Sequence, residues 1–399
     1  MSALNEKFVP RRLRTARLAR LLLQKELAEL VGRSDTTVSK WENDEYSQEP
    51  DASIIPKLAD VLSVEPQWFF KPTYQTPNAS FFRSLKSEDG KLRDKAEARL
   101  DFVEEIDQIL GEYVEFPTVD VPDLLDGRDF RTLRSDDIEH YAKMLREYWL
   151  LGDEPIDDLL LVSENAGIVV AHDEIGSEKL DGVSRWGNNG RPYMLLAQDK
   201  HIGVRRRFDA GHELGHILLH RHVSPKELSA HFKLIEEQAM TFAGAFLMPE
   251  CSFGDDVYSL SLDALLAIKG KWKVSVAGMI KRLSSMKRIT PEYERRLWQY
   301  YSYRKWRGFE PMDDEIAVEQ PHNLKASIEL IIEEKLATPA DLIRQISLSS
   351  SDVSELTGVS KDILEPQFNH IRRMPMIKAS QLSELGENIV SFPGGKIRH

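Results

Sequence analysis

The sequence predicts a mainly α-helical protein with one α+β domain. Apolar residues recur at helical spacing through most of the chain, and the longest such pattern is a charged amphipathic run at 88–113. Short β-like runs are confined to the middle of the chain, at 167–172 and 193–197, with an Asn-Asn-Gly turn at 188–190 between them. A chain of 399 residues is expected to form two or three domains.

Proline-containing breaks divide the chain into four segments. Pro72 and Pro77 bracket a polar stretch after the first helices, and Pro117 and Pro122 mark a second break. We therefore expect an all-helical domain, a linker with one long helix, an α+β domain, and a helical C-terminal region whose polar tail begins near Ile377. These segments are predicted at 8–72, 73–120, 121–310 and 311–399.

Composition and charge narrow the function classes. No apolar run approaches the roughly 18 residues that span a bilayer, so no membrane partner is expected. The first residues do not have the pattern of a secretory signal peptide, so we do not expect secretion. Cys251 is the only cysteine, which excludes disulfides within the chain and favours a reducing cytoplasm. The net charge of −12 argues against nucleic-acid binding by the whole surface. Residues 7–40 nevertheless hold nine Lys or Arg against three acids, which predicts one basic module on an acidic body.

The basic module has the pattern of a helix-turn-helix. Ala28 is small, as tight packing of two helices requires, and Gly32 supplies the turn. Ser34 is placed to cap the next helix, while Val38 and Trp41 are expected to face inward. The helices of the module are predicted at 10–23, at 24–31, from about Ser34, and at 54–62.

Side chains near the start of the third helix are expected to enter the major groove of a double-stranded DNA operator. They are Asp35, Thr36, Thr37, Ser39 and Lys40. Another set is placed to contact phosphates, which would supply affinity rather than sequence readout. It comprises Arg11, Arg12, Arg14 and Gln24.

Residues 9–69 resemble the Cro/C1-type (XRE) repressor family. The resemblance implies DNA binding, and a homodimer is compatible with it because operators of this motif class are commonly palindromic. The alternative is a module that has lost DNA contact and docks a protein. That alternative is kept open by Asp35 and by the acids Glu42, Asp44 and Glu45.

The run GHELGH fits the pattern H-E-x-x-H. His212 and His216 are four residues apart, so on a helix both imidazoles project from one face and can reach one metal ion. Glu213 points toward the same cleft without ligating, which suits a base acting on metal-bound water. The pattern predicts the core of a zinc peptidase site.

A catalytic zinc needs a third protein ligand. His222 lies where an extended H-E-x-x-H-x-x-G-x-x-H pattern would place it, but Leu219 stands at the glycine position that lets the chain turn. Glu236 and Glu237 lie in a later helical run, where Glu236 shares a face with three residues that would favour close helix packing. Those residues are Ala239, Met240 and Ala243. We favour Glu236 and keep Glu237 and His222 as alternatives.

Two segments resemble the ImmA/IrrE-type metallopeptidases, which cut phage or stress-response repressors. The segments are RRFDAGHELGHILLH at 206–220 and EEQAMTFAGAFLMP at 236–249. The resemblance implies a zincin-like α+β fold and a gluzincin-like ligand set, Zn²⁺ on His212, His216 and Glu236. The chain departs from many relatives by having Gln238 and Met240 where they carry an acid and Asn.

The predicted function is that of a DNA-binding regulator with zinc-dependent endopeptidase activity. It would cleave a repressor or antitoxin-like protein by Glu213-assisted attack of zinc-bound water, with dependence on an activating signal left open. The alternative is a transcriptional regulator or antitoxin-like protein whose peptidase domain senses or binds without turnover. Residues 193–197 are a candidate edge strand for aligning an extended substrate.

The C-terminal third is less informative. The aromatic and basic run 298–306 would serve as a nucleic-acid surface or, with stronger support, as core packing. Residues 341–359 faintly resemble a second helix-turn-helix without its basic residues, and we expect a small helical appendage there.

Overall fold

A computed structural model describes the chain at residues 7–45, 48–73, 78–82, 90–176, 180–198 and 202–365. Part of the predicted break between Pro72 and Pro77, the first two residues of the predicted helix at 88–113, and the predicted polar tail lie outside the described residues. Within the described part, the protein is mainly helical with one small sheet, as the sequence predicts.

The N-terminal helices follow the predicted order. They are α1 (Pro10–Ala19), α2 (Gln24–Val31), α3 (Asp35–Trp41) and α4 (Ile55–Leu62), followed by a 3-10 turn at Pro66–Phe70. Gly32 ends α2 in the left-handed conformation with φ +71°, and the hydroxyl of Ser34 accepts a hydrogen bond from the amide of Thr37. The first helix ends four residues earlier than predicted, because Leu21 turns the chain with φ +58°.

Four strands form one mixed sheet in the order β1-β3-β4-β2. The strands are β1 (Phe81–Phe82), β2 (Val169–Asp173), β3 (Gly182–Trp186) and β4 (Pro192–Ala197). β2 is parallel to β4, and the other pairs are antiparallel. The prediction that 193–197 forms an edge strand is wrong, because β3 and β2 flank β4 on both sides. The predicted turn at 188–190 is confirmed as the β3–β4 connection.

The sheet separates two apolar cores, which are built largely by helices. The helices around it are α5 (Gly90–Leu110), α6 (Ser135–Tyr148), α7 (Leu159–Asn165), α8 (Gly203–Leu219), α9 (Pro225–Leu247), α10 (Glu250–Asp256), α11 (Leu262–Trp272), α12 (Val276–Ser285) and α13 (Pro291–Tyr303). One core lies between the sheet and α6, α8, α9 and α12. The other contains α5 and the N-terminal helices, so the helix predicted in the linker segment is a buried structural element.

The C-terminal helices complete the second core. They are α14 (Asn323–Glu333), α15 (Pro339–Ile346), α16 (Ser350–Thr357) and α17 (Lys361–Leu364). In the aromatic run at 298–306, Tyr301 and Trp306 are buried, as expected for core packing. Among the described residues, no helix is both long enough and apolar enough to cross a membrane.

A buried ion network connects the N-terminal helices to the sheet through α16. Asp352 pairs at 2.5 Å with Arg20, the residue that follows α1, and it also pairs with Arg99 of α5. Arg99 in turn pairs with Asp173 of β2 at 2.8 Å. All four side chains are largely shielded from water. Each charge therefore depends on its protein partner, because water could not take that partner's place if it were lost.

Candidate functional site

Close packing of α8 against α9 brings the predicted site residues together. A Cβ added at Gly215 would lie 3.1 Å from the backbone of Ala239, and one at Gly211 would lie 3.5 Å from the Ala243 side chain. Only small residues permit this approach. Met240, which was expected on the same face, is 39% exposed and does not pack between the helices.

Three potential ligand atoms converge where these helices meet. The Nε2 atoms of His212 and His216 lie 3.0 Å apart, and the Glu236 carboxylate oxygens lie 3.3 and 3.2 Å from them. Four-coordinate zinc with N and O ligands at about 2.0–2.1 Å has ligand atoms about 3.3 Å from one another. The observed spacing therefore fits a single zinc-sized ion, and within the described part of the chain these three residues form the one cluster with metal-ligand spacing.

Unsatisfied polar atoms support the same reading. Oε1 of Glu236 is buried and receives no well-directed hydrogen bond, although it lies 3.2 Å from a His216 nitrogen. Buried carboxylate oxygens normally have partners, and a metal ion held by these three residues would provide one. Burial lowers the pKa of His216 to about 4, which leaves its imidazole neutral near pH 7 and able to ligate.

A chain of hydrogen bonds sets the tautomer of His216. The amide nitrogen of Gln238 donates to the carbonyl of Phe130 at 2.7 Å, so its oxygen accepts from Nε2 of His220 at 3.0 Å. Nδ1 of His220 then accepts from Nδ1 of His216 at 3.1 Å. This proton assignment is inferred from the network, and it leaves a lone pair on Nε2 of His216, directed at the cluster.

Strand β3 holds the glutamate between the two histidines. The hydroxyl of Ser184 donates a hydrogen bond of 2.6 Å to Oε2 of Glu213. A Cβ at Gly182 would lie 3.3 Å from the Glu213 side chain, so a larger residue there would crowd it. Burial raises the pKa of Glu213 well above its usual range, as for a carboxyl group that can hold a proton.

Sequence reasoning did not assign functions to Ser184, His220 or Gln238. β3 carries no alternation because both of its faces are buried, so no period-2 pattern marks it as a strand. The alternative metal ligands lie elsewhere. Glu237 is exposed, and the His222 side chain is 76% exposed beside Asp123.

The N-terminal helices present part of the predicted DNA surface to solvent. Asp35, Thr36, Ser39 and Lys40 of α3 are exposed and Thr37 is half-buried. In the phosphate-contact set, Arg14 is exposed, and Arg11 and Gln24 are half-buried. Arg12 is buried, with its guanidinium 2.7 Å from Glu105 and stacked 4.2 Å from the centre of the Trp68 ring. The Arg12 side chain is therefore engaged inside the protein and is not exposed for a phosphate contact. The side-chain amide of Gln24 donates a hydrogen bond of 2.8 Å to the Glu42 carboxylate.

Comparison with known families matches two parts of the chain. Residues 163–284 match the IrrE N-terminal-like domain of peptidase family M78, and residues 13–69 match a helix-turn-helix domain. The chain joins a helix-turn-helix domain to an IrrE N-terminal-like peptidase domain. The peptidase-domain match contains His212, Glu213, His216 and Glu236 together with Ser184. No curated protein matches the chain.

Proposed function

We propose that the protein is a DNA-associated zinc endopeptidase that cleaves a repressor or antitoxin-like regulatory protein. The observation that carries the proposal is the convergence of His212, His216 and Glu236 within ligand spacing, with Glu213 buried beside them. A purely structural helix pair has no need for two buried imidazoles facing a carboxylate in the core.

Zinc held by these three residues would polarise a peptide carbonyl and acidify a water molecule. The chain's own part in the reaction is assigned to Glu213, which takes a proton from the attacking water and gives it to the leaving amine. Ser184 keeps the Glu213 carboxylate in place through its hydrogen bond, and the Gln238–His220 pair keeps the His216 lone pair directed inward.

The helix-turn-helix domain narrows the substrate class. α3 exposes polar side chains and Lys40 in the arrangement that enters the major groove. Binding to an operator would bring the peptidase domain beside other regulators on the same DNA, so the substrate we infer is a DNA-binding regulatory protein. A cytoplasmic location agrees with this substrate and with a single, unpaired Cys251.

The alternative function is binding or sensing without turnover. One observation favours it: His212, Glu213 and His216 are at most 3% exposed and the Glu236 side chain is 14% exposed, so the cluster is largely shielded from solvent in this conformation. The experiment that separates the two compares zinc-loaded wild type with Glu213→Gln for cleavage of candidate repressors. Cleavage lost in the variant supports the peptidase, whereas no cleavage by a fully zinc-loaded wild type supports sensing.

A further inference from the structure

The segment that follows the helix-turn-helix domain adds a strand to the edge of the peptidase sheet. Phe81 and Phe82 form β1 and pair antiparallel with β3, with Phe81 opposite Ser184 and Phe82 opposite Val183. The amide of Ala79 also donates to the carbonyl of Val223 at 3.3 Å. This segment, residues 78–82, lies outside the matched peptidase domain.

The side chains of β1 point to opposite faces of the sheet, as alternation requires. Phe81 lies on the face of Ser184 and stacks on the His216 ring, with centroids 4.7 Å apart and planes 10° apart. It is 2% exposed and belongs to the core that contains α8 and α9. Phe82 packs into the other core, beside Val183. The segment therefore covers the potential metal ligands His212, His216 and Glu236 from the sheet side.

The edge of β3 that pairs with β1 is where an extended peptide would bind if β1 were displaced. Edge strands recruit peptides through main-chain hydrogen bonds, and pockets for alternate side chains provide selectivity. β3 carries the hydroxyl that holds Glu213, so a peptide paired with β3 runs past the proposed base. Residues 78–82 hold this position, with an aromatic ring against a cluster histidine.

We propose that residues 78–82 occupy the substrate groove of the peptidase domain and that a substrate segment enters only when this strand leaves β3. The proposal rests on the proposed function for the identity of the groove. A two-residue strand is a weak pairing, so it can be displaced while the sheet beneath it persists. The same geometry predicts the substrate class: an extended segment with a large aromatic side chain at the position of Phe81.

The test uses the full chain loaded with zinc and carrying Glu213→Gln, so that binding is measured without turnover. Phe82→Cys and Val183→Cys are added in a Cys251→Ser background, because opposed residues of antiparallel strands are close enough for a disulfide. The probe is a fluorescein-labelled peptide containing Asn-Ala-Ser-Phe-Phe, the sequence of 78–82, between glycines. Its binding is followed by anisotropy before and after reduction.

We expect the reduced protein to bind the peptide at least ~10-fold more tightly than the oxidised protein. A peptide with Ser-Ser in place of Phe-Phe is the control and should not bind either form. A second variant, Phe81→Ala without the cysteines, should bind the probe more tightly than its Glu213→Gln parent. Equal binding by oxidised and reduced protein, or no gain from Phe81→Ala, would overturn the proposal.

This experiment is independent of peptidase activity. If the groove is occupied as proposed but the protein never cleaves, the reduced form still binds the peptide. If the protein cleaves but uses another surface, the disulfide has no effect on binding. The two failures are therefore distinguishable.

Discussion

The hydroxyl of Ser184 donates a 2.6 Å hydrogen bond to the carboxylate of Glu213, joining the sheet to the helix that bears both histidines. Neither residue reaches solvent. The bond fixes where the carboxylate lies relative to the cluster, and it depends on β3 lying beside α8. The proposed base is thus positioned by a strand that precedes the histidine motif in the chain.

Ser184→Ala is expected to lower kcat/KM about 10- to 100-fold while zinc content stays unchanged. A 10- to 100-fold decrease corresponds to about 1.4–2.7 kcal/mol, which lies within the roughly 1–3 kcal/mol that loss of a buried hydrogen bond costs. The matched control is Ser163→Ala, another fully buried serine whose hydroxyl donates to the carbonyl of Leu159. Equal loss of activity in both variants would indicate general destabilisation instead.

Glu236→Gln is expected to lose zinc, whereas Glu237→Gln is expected to keep it. The two glutamates are adjacent on α9, but Glu236 lies within 3.3 Å of both histidines and Glu237 is exposed. Loss of a ligand should weaken zinc binding by more than the roughly 10- to 100-fold caused by loss of an outer partner. Zinc titration with a competing chelator measures both. Retention of full affinity by Glu236→Gln would show that the third ligand is another group.

Gln238→Leu is expected to weaken zinc binding by about 10- to 100-fold without touching a ligand. Its side-chain oxygen accepts from His220, and losing that acceptor frees the His220–His216 pair to adopt the other tautomer. Gln238→Glu keeps an acceptor for His220 and should retain more affinity than Gln238→Leu. Equal affinities for the two variants would mean that the chain does not set the tautomer.

Asp352→Ala is expected to destabilise the protein by about 1–3 kcal/mol, because Arg99 loses one of its buried hydrogen-bonding partners while Asp173 still pairs with it. Asp341→Ala, which removes an exposed partner of Arg344, should destabilise the protein much less than Asp352→Ala does. Urea denaturation measures both.

The effect of Asp352 should also depend on pH. Burial opposes ionisation, but the Arg20 hydrogen bond and the charge of Arg99 outweigh it and lower the pKa of Asp352. Because the pKa is lower in the folded protein, the ionised carboxylate stabilises the fold at pH values above the pKa of Asp in the unfolded chain, which is about 3.9. That contribution is lost as the pH falls through the lower pKa that Asp352 has in the folded protein.

The stability difference between wild type and Asp352→Ala should therefore hold from pH 7 to about pH 5 and shrink below about pH 4. A constant difference down to acid unfolding would contradict this assignment.

Lys40→Ala and Arg14→Ala are expected to weaken operator binding and to reduce its salt dependence. Each phosphate that loses a neutralising Lys or Arg charge, whether that side chain lies in the groove or on the backbone, makes the fall of log K with log salt less steep by about 0.9. Both side chains are exposed on the helix-turn-helix domain. Arg12→Ala is the contrast, because its buried guanidinium pairs with Glu105 and its loss should lower stability without changing the slope. Gel-shift titration at several salt concentrations separates the three variants, and unchanged slopes for Lys40→Ala and Arg14→Ala would contradict DNA contact.

Local patterns predicted most of the helices and the three residues that converge as potential metal ligands. The bounds of α2 agree with the prediction, because Gly32 and Ser34 mark its end and the next start. Glu236 was identified from its spacing relative to Ala239 and Ala243, and α9 does present it to the histidines.

Nonlocal pairing could not be predicted in the same way. β3 is buried on both faces and β1 contains only two residues, so neither shows a strand period. The order of the sheet depends on which strands meet in space, which local patterns do not encode. The prediction that 193–197 is an edge strand is wrong for this reason. The contacts of Arg12 and Phe81 join residues far apart in the chain, and no local signal distinguishes them from exposed side chains.

The most direct test of the central claim is a comparison of newly formed N-termini in cells that produce wild type or Glu213→Gln. Both proteins should purify with equal zinc, since Glu213 is not among the converging ligand atoms. We expect new N-termini within a DNA-binding regulatory protein in the wild-type cells and none of them in the variant cells. The same new N-termini in both samples, with zinc bound to both proteins, would contradict the assignment of this site as a peptidase with Glu213 as its base.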